Sequence, residues 1–156
     1  MQSELAIRTA GQSDLQPLLQ LYHQLNPQDP ALAPEDACRI WRQFTRYPGS
    51  AIFIGCKDKA LVSSCALVVV PNLTRGGAPY ALIENVVTDA QHRNRGYAQA
   101  ILKAAVAAAW ECGCYKVMLL TGSKNPTTLR FYQRAGFEQS KTGFQMRRLP
   151  SREAQE

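Results

Sequence analysis

The period of the apolar residues changes several times along the chain, and these changes predict alternating helices and strands. Leucines recur at helical spacing between Asp14 and Leu25, and Asp14 is a suitable N-terminal cap for that helix. Proline is tolerated in the first turn of a helix, and Gly113 is placed to end a helix in a left-handed conformation. The predicted helices are residues 15–25, 34–46, 97–113 and 126–135.

Short apolar runs bounded by turn residues predict the strands. These are residues 5–9, 50–57, 60–70, 80–88 and 115–121, followed by a terminal hairpin of residues 137–139 and 143–149. The helix of residues 97–113 would connect strands 80–88 and 115–121, and a crossover helix joins parallel neighbours. We therefore expect an α/β fold, with a mixed, mostly antiparallel central sheet flanked by about four helices. Residues 1–149 would form one domain, and residues 150–156 a loose tail.

The charge of the chain narrows the choice of ligand. The 156 residues carry a net charge of +6. Acidic and basic residues balance within residues 1–60, so the whole excess falls in residues 61–156. This basic C-terminal part of the chain suits a polyanionic small ligand. Binding to nucleic acid is the competing explanation of its charge. No long Lys/Arg run or basic-aromatic repeat supports nucleic acid, which we do not expect as a partner.

The cysteines and the N-terminal sequence indicate the cellular compartment in which we expect the protein. Five cysteines are present, an odd number, and no pair has the C-x-x-C spacing of a zinc site. We expect reduced thiols in a cytoplasmic protein and no metal. The first residues lack the basic start and apolar core of a signal peptide, and no apolar run is long enough to span a bilayer, so no membrane contact is expected.

The segment Arg93-Asn94-Arg95-Gly96-Tyr97-Ala98 lies between a predicted strand and the longest predicted helix. Gly96 has no Cβ, so its backbone can turn tightly and approach a ligand. The start of the following helix offers N–H groups without intrahelical acceptors, and these groups, together with the helix dipole, favour an anion. With two arginines beside the same turn, the segment predicts a pyrophosphate cradle.

Two segments resemble motifs of the GNAT superfamily of N-acetyltransferases. Arg93-x-x-Gly96-x-Ala98 resembles its acyl-CoA-binding motif, [QR]-x-x-G-x-[GA]. The segment from Asn125 through Phe131-Tyr132 to Gly136-Phe137 resembles its later motif, N-x-x-x-x-x-F-Y-x-x-x-G-F. The resemblance implies direct acetyl transfer from acetyl-CoA to an amine, for which we expect a small primary amine. The residues that it assigns to acetyl-CoA are Val86, Val87, Arg93, Asn94, Arg95, Gly96, Tyr97, Ala98, Asn125 and Tyr132.

The resemblance also implies how these residues act. The backbones of Val86 and Val87 would contact the donor, which requires a bulged or splayed strand. Tyr132 would be the general acid near the sulfur, although a helical Phe-Tyr pair also suits core packing. Glu84 would accept the proton of the amine through water, and burial in an apolar strand would raise its pKa. A structural carboxylate, either paired with an arginine or oriented to solvent, is an equally open interpretation of Glu84.

Some stretches look closer to the glucosamine-6-phosphate N-acetyltransferase branch, among them Ile83-Glu84-Asn85-Val86-Val87. Asn85 stands where that branch has an acidic residue, and Leu119-Leu120-Thr121 lacks its aspartate, so the acceptor stays open. A sensor that binds acetyl-CoA without turnover and a protein N-terminal or lysine acetyltransferase are the alternatives. By analogy with small members of the superfamily, we expect a homodimer through the edge of residues 143–149.

Overall fold

The computed structural model describes residues 4–149, which form two compact units, residues 4–119 and 120–149. The expected loose tail, residues 150–156, lies outside the described residues. That residues 1–149 form a single domain stays a prediction. The first unit contains β1 (Ala6–Thr9), α1 (Leu15–Leu25), α2 (Pro34–Phe44), β2 (Ala51–Lys57), β3 (Ala60–Val70), β4 (Tyr80–Thr88), α3 (Tyr97–Glu111) and β5 (Val117–Met118), and the second contains α4 (Pro126–Arg134).

The five strands form one sheet in the order β1-β2-β3-β4-β5. All neighbours are antiparallel except β4 and β5, which are parallel and are connected through α3. Asp58 and Lys59 join β2 to β3, and both have the positive φ angles of a tight hairpin turn. The mixed, mostly antiparallel sheet and the position of its parallel pair are therefore confirmed.

Two helices bury their apolar faces against this sheet. Contacts of α1 concentrate on β3 and β4, and those of α3 on β2, β3 and β4. Gly55 in β2 lets α3 approach closely, since an added Cβ there would lie 3.2 Å from the side chain of Ile101. The fully buried side chains of α3 are Ile101, Leu102, Ala105 and Ala109. Gly113 follows the helix with a φ of 75°, so its predicted left-handed conformation is confirmed.

The predicted capping by Asp14 is wrong. Asp14 holds the N-cap position of α1, but its side chain makes no cap hydrogen bond to that helix. The carboxylate instead accepts from the backbone N–H of Gly11 at 2.7 Å and pairs with Arg8 at 2.7 Å. The hydrogen bonds from Arg8 and then Gly11 lower the pKa of Asp14 to about 2. Asp14 therefore stabilises the turn before the helix.

The predicted terminal hairpin and the full length of strand 115–121 are also wrong. Only Val117–Met118 are paired as a strand, and residues 137–149 contain no strand. An alternating apolar pattern forms a strand only where a neighbour supplies its hydrogen bonds, and an isolated hairpin is marginal in water. Phe144 and Met146 are at least 93% exposed, so this pattern buries nothing within the described part of the chain.

Candidate active site

A β-bulge interrupts the middle of β4. Ser64 of β3 is paired with Val87, and Ala66 is paired with Glu84, so two residues of β4 face one residue of β3. The extra residue fits because Asn85 adopts a φ of 53°, which asparagine tolerates better than most residues. A bulge bends its strand and disturbs the hydrogen-bond ladder. The expected irregular strand around Val86 is therefore present.

The other side of β4 is open beyond its first residues. Its parallel pairing with β5 involves Ala81 and Leu82 only. Within the described residues, the rest of β4 has no strand partner on this side, and this stretch contains Val86 and Val87. Strand backbone that lacks a neighbour presents N–H and C=O groups to any ligand that lies along it. Val86 is half-buried in this stretch, whereas the buried Val87 is paired with Ser64, and its carbonyl accepts from Ser63 of β3.

Ser63 fixes the end of β4 after the bulge. This fully buried serine donates from its hydroxyl to the carbonyl of Val87 at 3.2 Å, and the hydroxyl lies 2.8 Å from the Thr88 hydroxyl. The backbone N–H of Asp89 then donates to Val62 at 2.8 Å. The strand is consequently well anchored where it enters the turn before α3.

The turn between β4 and α3 has the backbone of an anion site. Asn94 has a φ of 59°, and Gly96, the N-cap of α3, has a φ of 78°. An added Cβ at Gly96 would have no atom within 4 Å, so the space in front of the helix is open. Tyr97 and Ala98 begin α3, and N–H groups in a first helical turn have no intrahelical acceptor. This arrangement fits a diphosphate.

Two exposed arginines flank this turn. Arg93 donates from Nε to the carbonyl of Thr88 at 3.3 Å, and Arg95 donates from Nη2 to the carbonyl of Gln91 at 3.4 Å. Neither arginine forms an ion pair with a carboxylate in the part of the chain that the structure describes. Their charges are therefore not neutralised by a local partner and add to the field of the helix terminus.

Glu84 lies immediately before the bulge and is exposed. The expectation that Glu84 is buried is therefore wrong, because Glu84 shares a face of β4 with the half-buried Leu82, opposite to the buried Ile83. No ion pair of Glu84 occurs among the described residues, which disfavours an ion-paired structural carboxylate. Exposure fits a carboxylate oriented to solvent, and it fits equally a proton acceptor that works through a water molecule.

Sequence reasoning missed a polar network behind the turn. Gln24 of α1 donates from Nε2 to Asp89 Oδ2 at 2.7 Å, and Asp89 Oδ1 lies 2.8 Å from His92 Nδ1. Hydrogen bonds from Gln24 and then His92 lower the pKa of Asp89. His92 is half-buried and stacks on Tyr97 with ring centroids 6.5 Å apart. The spacing of Asp89 and His92 signals a local cap, but nothing in the sequence signals Gln24.

A buried pair of hydroxyls lies where α1 packs on the sheet. The Tyr22 hydroxyl lies within reach of the Ser64 hydroxyl, but the geometry of a hydrogen bond is not met, and neither oxygen has another partner among the described residues. Burial raises the pKa of Tyr22 to about 12. This phenol therefore stays protonated at neutral pH and is not a base for an amine.

The second unit carries the other two predicted residues. Asn125 caps α4, since its side-chain oxygen accepts from the backbone N–H of Thr127 at 2.9 Å. Tyr132 is half-buried and makes edge contacts with Phe131 and Phe137, whose ring centroids lie 5.0 and 6.4 Å from its own. These rings fix the direction of the Tyr132 side chain within its unit.

The described residues contain no helix that is long and apolar enough to cross a bilayer. The model of the acetyltransferase (GNAT) family matches residues 18–137. A glucosamine 6-phosphate N-acetyltransferase of Trypanosoma brucei brucei is 31% identical over 136 residues, which cover 86% of this chain and 89% of the relative.

Solved structures agree with the family match. A protein of Agrobacterium tumefaciens str. C58, named as an acetyltransferase, is 45% identical, with a TM-score of 0.87 and coverage of 92% of this chain and 99% of the other. An aminoglycoside N-acetyltransferase solved in complex with CoA has a TM-score of 0.78 at 20% identity, with coverage of 96% and 98%. At that identity, the likeness concerns the fold.

Proposed function

Because this chain belongs to the GNAT family of N-acetyltransferases, we propose that it transfers an acetyl group from acetyl-CoA to the primary amine of a small molecule. The observation that carries the proposal is the bulged, half-open strand β4 that runs directly into a basic turn and the N-terminus of α3. One continuous stretch of chain thus offers strand backbone for an extended arm and an anion cradle for its diphosphate.

The donor site fits the shape and charge of acetyl-CoA. Gly96 leaves open space before α3, and Arg93 and Arg95 supply positive charge beside it. The other proposed contacts at this end of the donor are Asn94 in the turn and the first two residues of α3, Tyr97 and Ala98. The pantetheine arm would run along the edge of β4 that has no strand partner, with Val86 and Val87 as its proposed contacts. The carbonyl of Val87 is already held by Ser63, so Val86 would supply the backbone groups on this edge. Asn125 and Tyr132 of the second unit are proposed as further contacts of the donor.

Acetyl transfer removes two protons from the ammonium and supplies one to the leaving thiolate. An alkylammonium has a pKa of about 10, so the amine must lose a proton before its nitrogen can attack. We propose that Glu84 accepts this proton through a water molecule. The new C–N bond then forms as the C–S bond breaks, and the phenol of Tyr132 donates a proton to the departing thiolate. The second proton that the nitrogen loses returns to the Tyr132 phenolate and restores the phenol. The products are an N-acetylated amine and free coenzyme A.

The acceptor is proposed to be an amino sugar, with an aminoglycoside, a polyamine or an amino acid as further members of the panel to test. The sugar class is supported by the full-length relative, which is named as a glucosamine 6-phosphate N-acetyltransferase. Asn85, the bulge residue, and Leu119-Leu120-Thr121 depart from that branch, so the sugar 6-phosphate needs its own test. Glucosamine 6-phosphate and glucosamine should therefore be compared directly.

The experiment is a panel of amines incubated with acetyl-CoA, with thiol release as the readout. We expect amine-dependent release that is highest with an amino sugar. Acetyl-CoA binding without release for any amine would favour the sensor. Release with peptides only would favour a protein N-terminal or lysine acetyltransferase.

Replacement of Glu84 should change the pH dependence of turnover. Glu84→Gln keeps the shape but removes the proton acceptor, so kcat/KM for the amine should fall by about 10²-fold near pH 7. The loss should shrink as the pH rises, because a growing fraction of the amine is already neutral. The measurement is a pH–rate profile of both proteins, with Glu111→Gln as a control for the lost charge. Parallel profiles of equal height would assign Glu84 to structure.

We further propose a homodimer and a cytoplasmic location. Five free cysteines favour a reducing compartment. The hairpin from which we argued the dimer is absent, but three large apolar side chains of the same segment, Phe144, Met146 and Leu149, are exposed, and a second copy would bury them. Sedimentation at micromolar concentration should show twice the monomer mass. A single species of 17.3 kDa would contradict the dimer.

A further inference from the structure

The side chain of Gln24 holds the turn before α3 with both ends of its amide. Its Nε2 donates to Asp89 Oδ2 at 2.7 Å, and its Oε1 accepts from the backbone N–H of Ala90 at 3.0 Å. Gln24 lies near the end of α1, more than 60 residues earlier in the chain. A paired amide of this kind fixes both the position and the orientation of the segment that it holds.

Asp89 passes this restraint on to the turn. Its second oxygen, Oδ1, accepts from the N–H of Gln91 at 3.0 Å and lies 2.8 Å from His92 Nδ1. His92 in turn stacks on Tyr97, the first residue of α3. A continuous set of contacts therefore connects α1 with the N-terminus of the helix that would receive the diphosphate.

The turn needs such a restraint because little of it is buried. Arg93, Asn94, Arg95 and Gly96 are all exposed, and the hydrogen bonds of Arg93 and Arg95 reach carbonyls of the same stretch of chain. Segments with few buried contacts open at a low free-energy cost. A ligand that binds only the closed form then loses apparent affinity in proportion to the open fraction.

We propose that Gln24 is a positioning residue for the acetyl donor, which keeps the turn of residues 89–96 in its binding-competent form through Asp89 and Ala90. The proposal rests on the donor site described above. Gln24 would not touch acetyl-CoA, and its contribution would be made before binding. Its loss should therefore raise the Kd and KM for acetyl-CoA, whereas kcat stays within about twofold because the bound turn is ordered again.

Two replacements separate the parts of the contact. Gln24→Met keeps the volume but removes both hydrogen bonds, and the Kd for acetyl-CoA should rise about fivefold. Gln24→Glu places a carboxylate against Asp89, and the Kd should rise at least about tenfold because like charges repel at this distance. The control is Gln20→Met, an exposed glutamine one turn earlier on α1, which should bind acetyl-CoA like the wild type.

A reversed pair tests whether the contact is direct. In Gln24→Glu combined with Asp89→Asn, the donor and acceptor exchange sides, the net charge of the wild type is kept, and the introduced carboxylate can still accept from Ala90. The Kd should return to within about threefold of the wild-type value. Asp89→Asn alone should weaken acetyl-CoA binding. The Nδ2 of the new asparagine is a hydrogen-bond donor, and it would have to face another donor, either Gln24 Nε2 or the backbone N–H of Gln91.

Calorimetry with acetyl-CoA, steady-state kinetics and thermal unfolding of each variant decide the proposal. Raised Kd and KM with an unchanged kcat, and rescue in the reversed pair, would support it. Wild-type Kd values in folded Gln24→Met and Gln24→Glu would overturn it, as would a lower melting temperature without any change in Kd. Absence of acetyl-CoA binding by the wild type would instead overturn the proposed function, so the two failures are distinguishable.

Discussion

Gly96→Glu is expected to reduce acetyl-CoA affinity by at least about 10²-fold in a protein that remains folded. The introduced side chain would enter the open space before α3, where the diphosphate is proposed to lie. Two like charges about 4 Å apart repel by about 4 kcal/mol at the effective dielectric of a protein surface. The carboxylate would also occupy the helix N-terminus in place of the ligand. Calorimetry with acetyl-CoA measures the loss.

Gly113→Glu is a closely matched control. Gly113 has a φ of 75°, Gly96 has a φ of 78°, and an added Cβ meets no atom within 4 Å at either position. Both variants therefore carry the same charge change and a similar backbone strain, at opposite ends of α3. Gly113→Glu should bind acetyl-CoA like the wild type. Equal affinities of the two variants for acetyl-CoA would show that the donor does not bind at this turn.

Tyr132→Phe is expected to lower kcat by about 10²–10⁴-fold, the usual contribution of a positioned general acid. The Kd for acetyl-CoA should change little, because the ring contacts with Phe131 and Phe137 do not involve the hydroxyl that is lost. Stopped-flow thiol release under saturating acetyl-CoA and amine separates chemistry from binding and product release.

The control for Tyr132 is Tyr47→Phe, which removes a hydroxyl from a tyrosine that is 59% exposed. It should leave kcat and the melting temperature unchanged. Full turnover in Tyr132→Phe, or a melting temperature that falls together with kcat, would assign Tyr132 to the packing of α4 and not to proton transfer.

Elements that depend on local chemistry could be predicted from the sequence. Pro34 and Pro126 each begin a helix, and Gly113 follows one in the left-handed conformation that its missing side chain permits. The turn at Gly96 belongs to the same class, because strand, arginines, glycine and helix follow one another directly. Its position at the start of α3 was predictable for that reason.

Features that depend on distant partners could not be predicted in this way. The terminal hairpin was wrong because its alternating pattern, with Phe144 and Met146, says nothing of a neighbouring strand. The bulge at Asn85 depends on the register of β3 and β4, although asparagine itself hints at a left-handed residue. The contact of Gln24 with Asp89 joins α1 to the turn before α3, which is far away in sequence, and neither residue type indicates it.

The most direct test of the account follows both products of one reaction. The protein is incubated with isotopically labelled acetyl-CoA and the best amine of the panel, and free thiol and acetylated amine are quantified over time. If the proposed acetyl transfer takes place, we expect one labelled acetyl group on the amine nitrogen for each thiol released, and loss of both products in Gly96→Glu. Thiol release without an acetylated amine, or acetylated amine at the wild-type rate in Gly96→Glu, would contradict it.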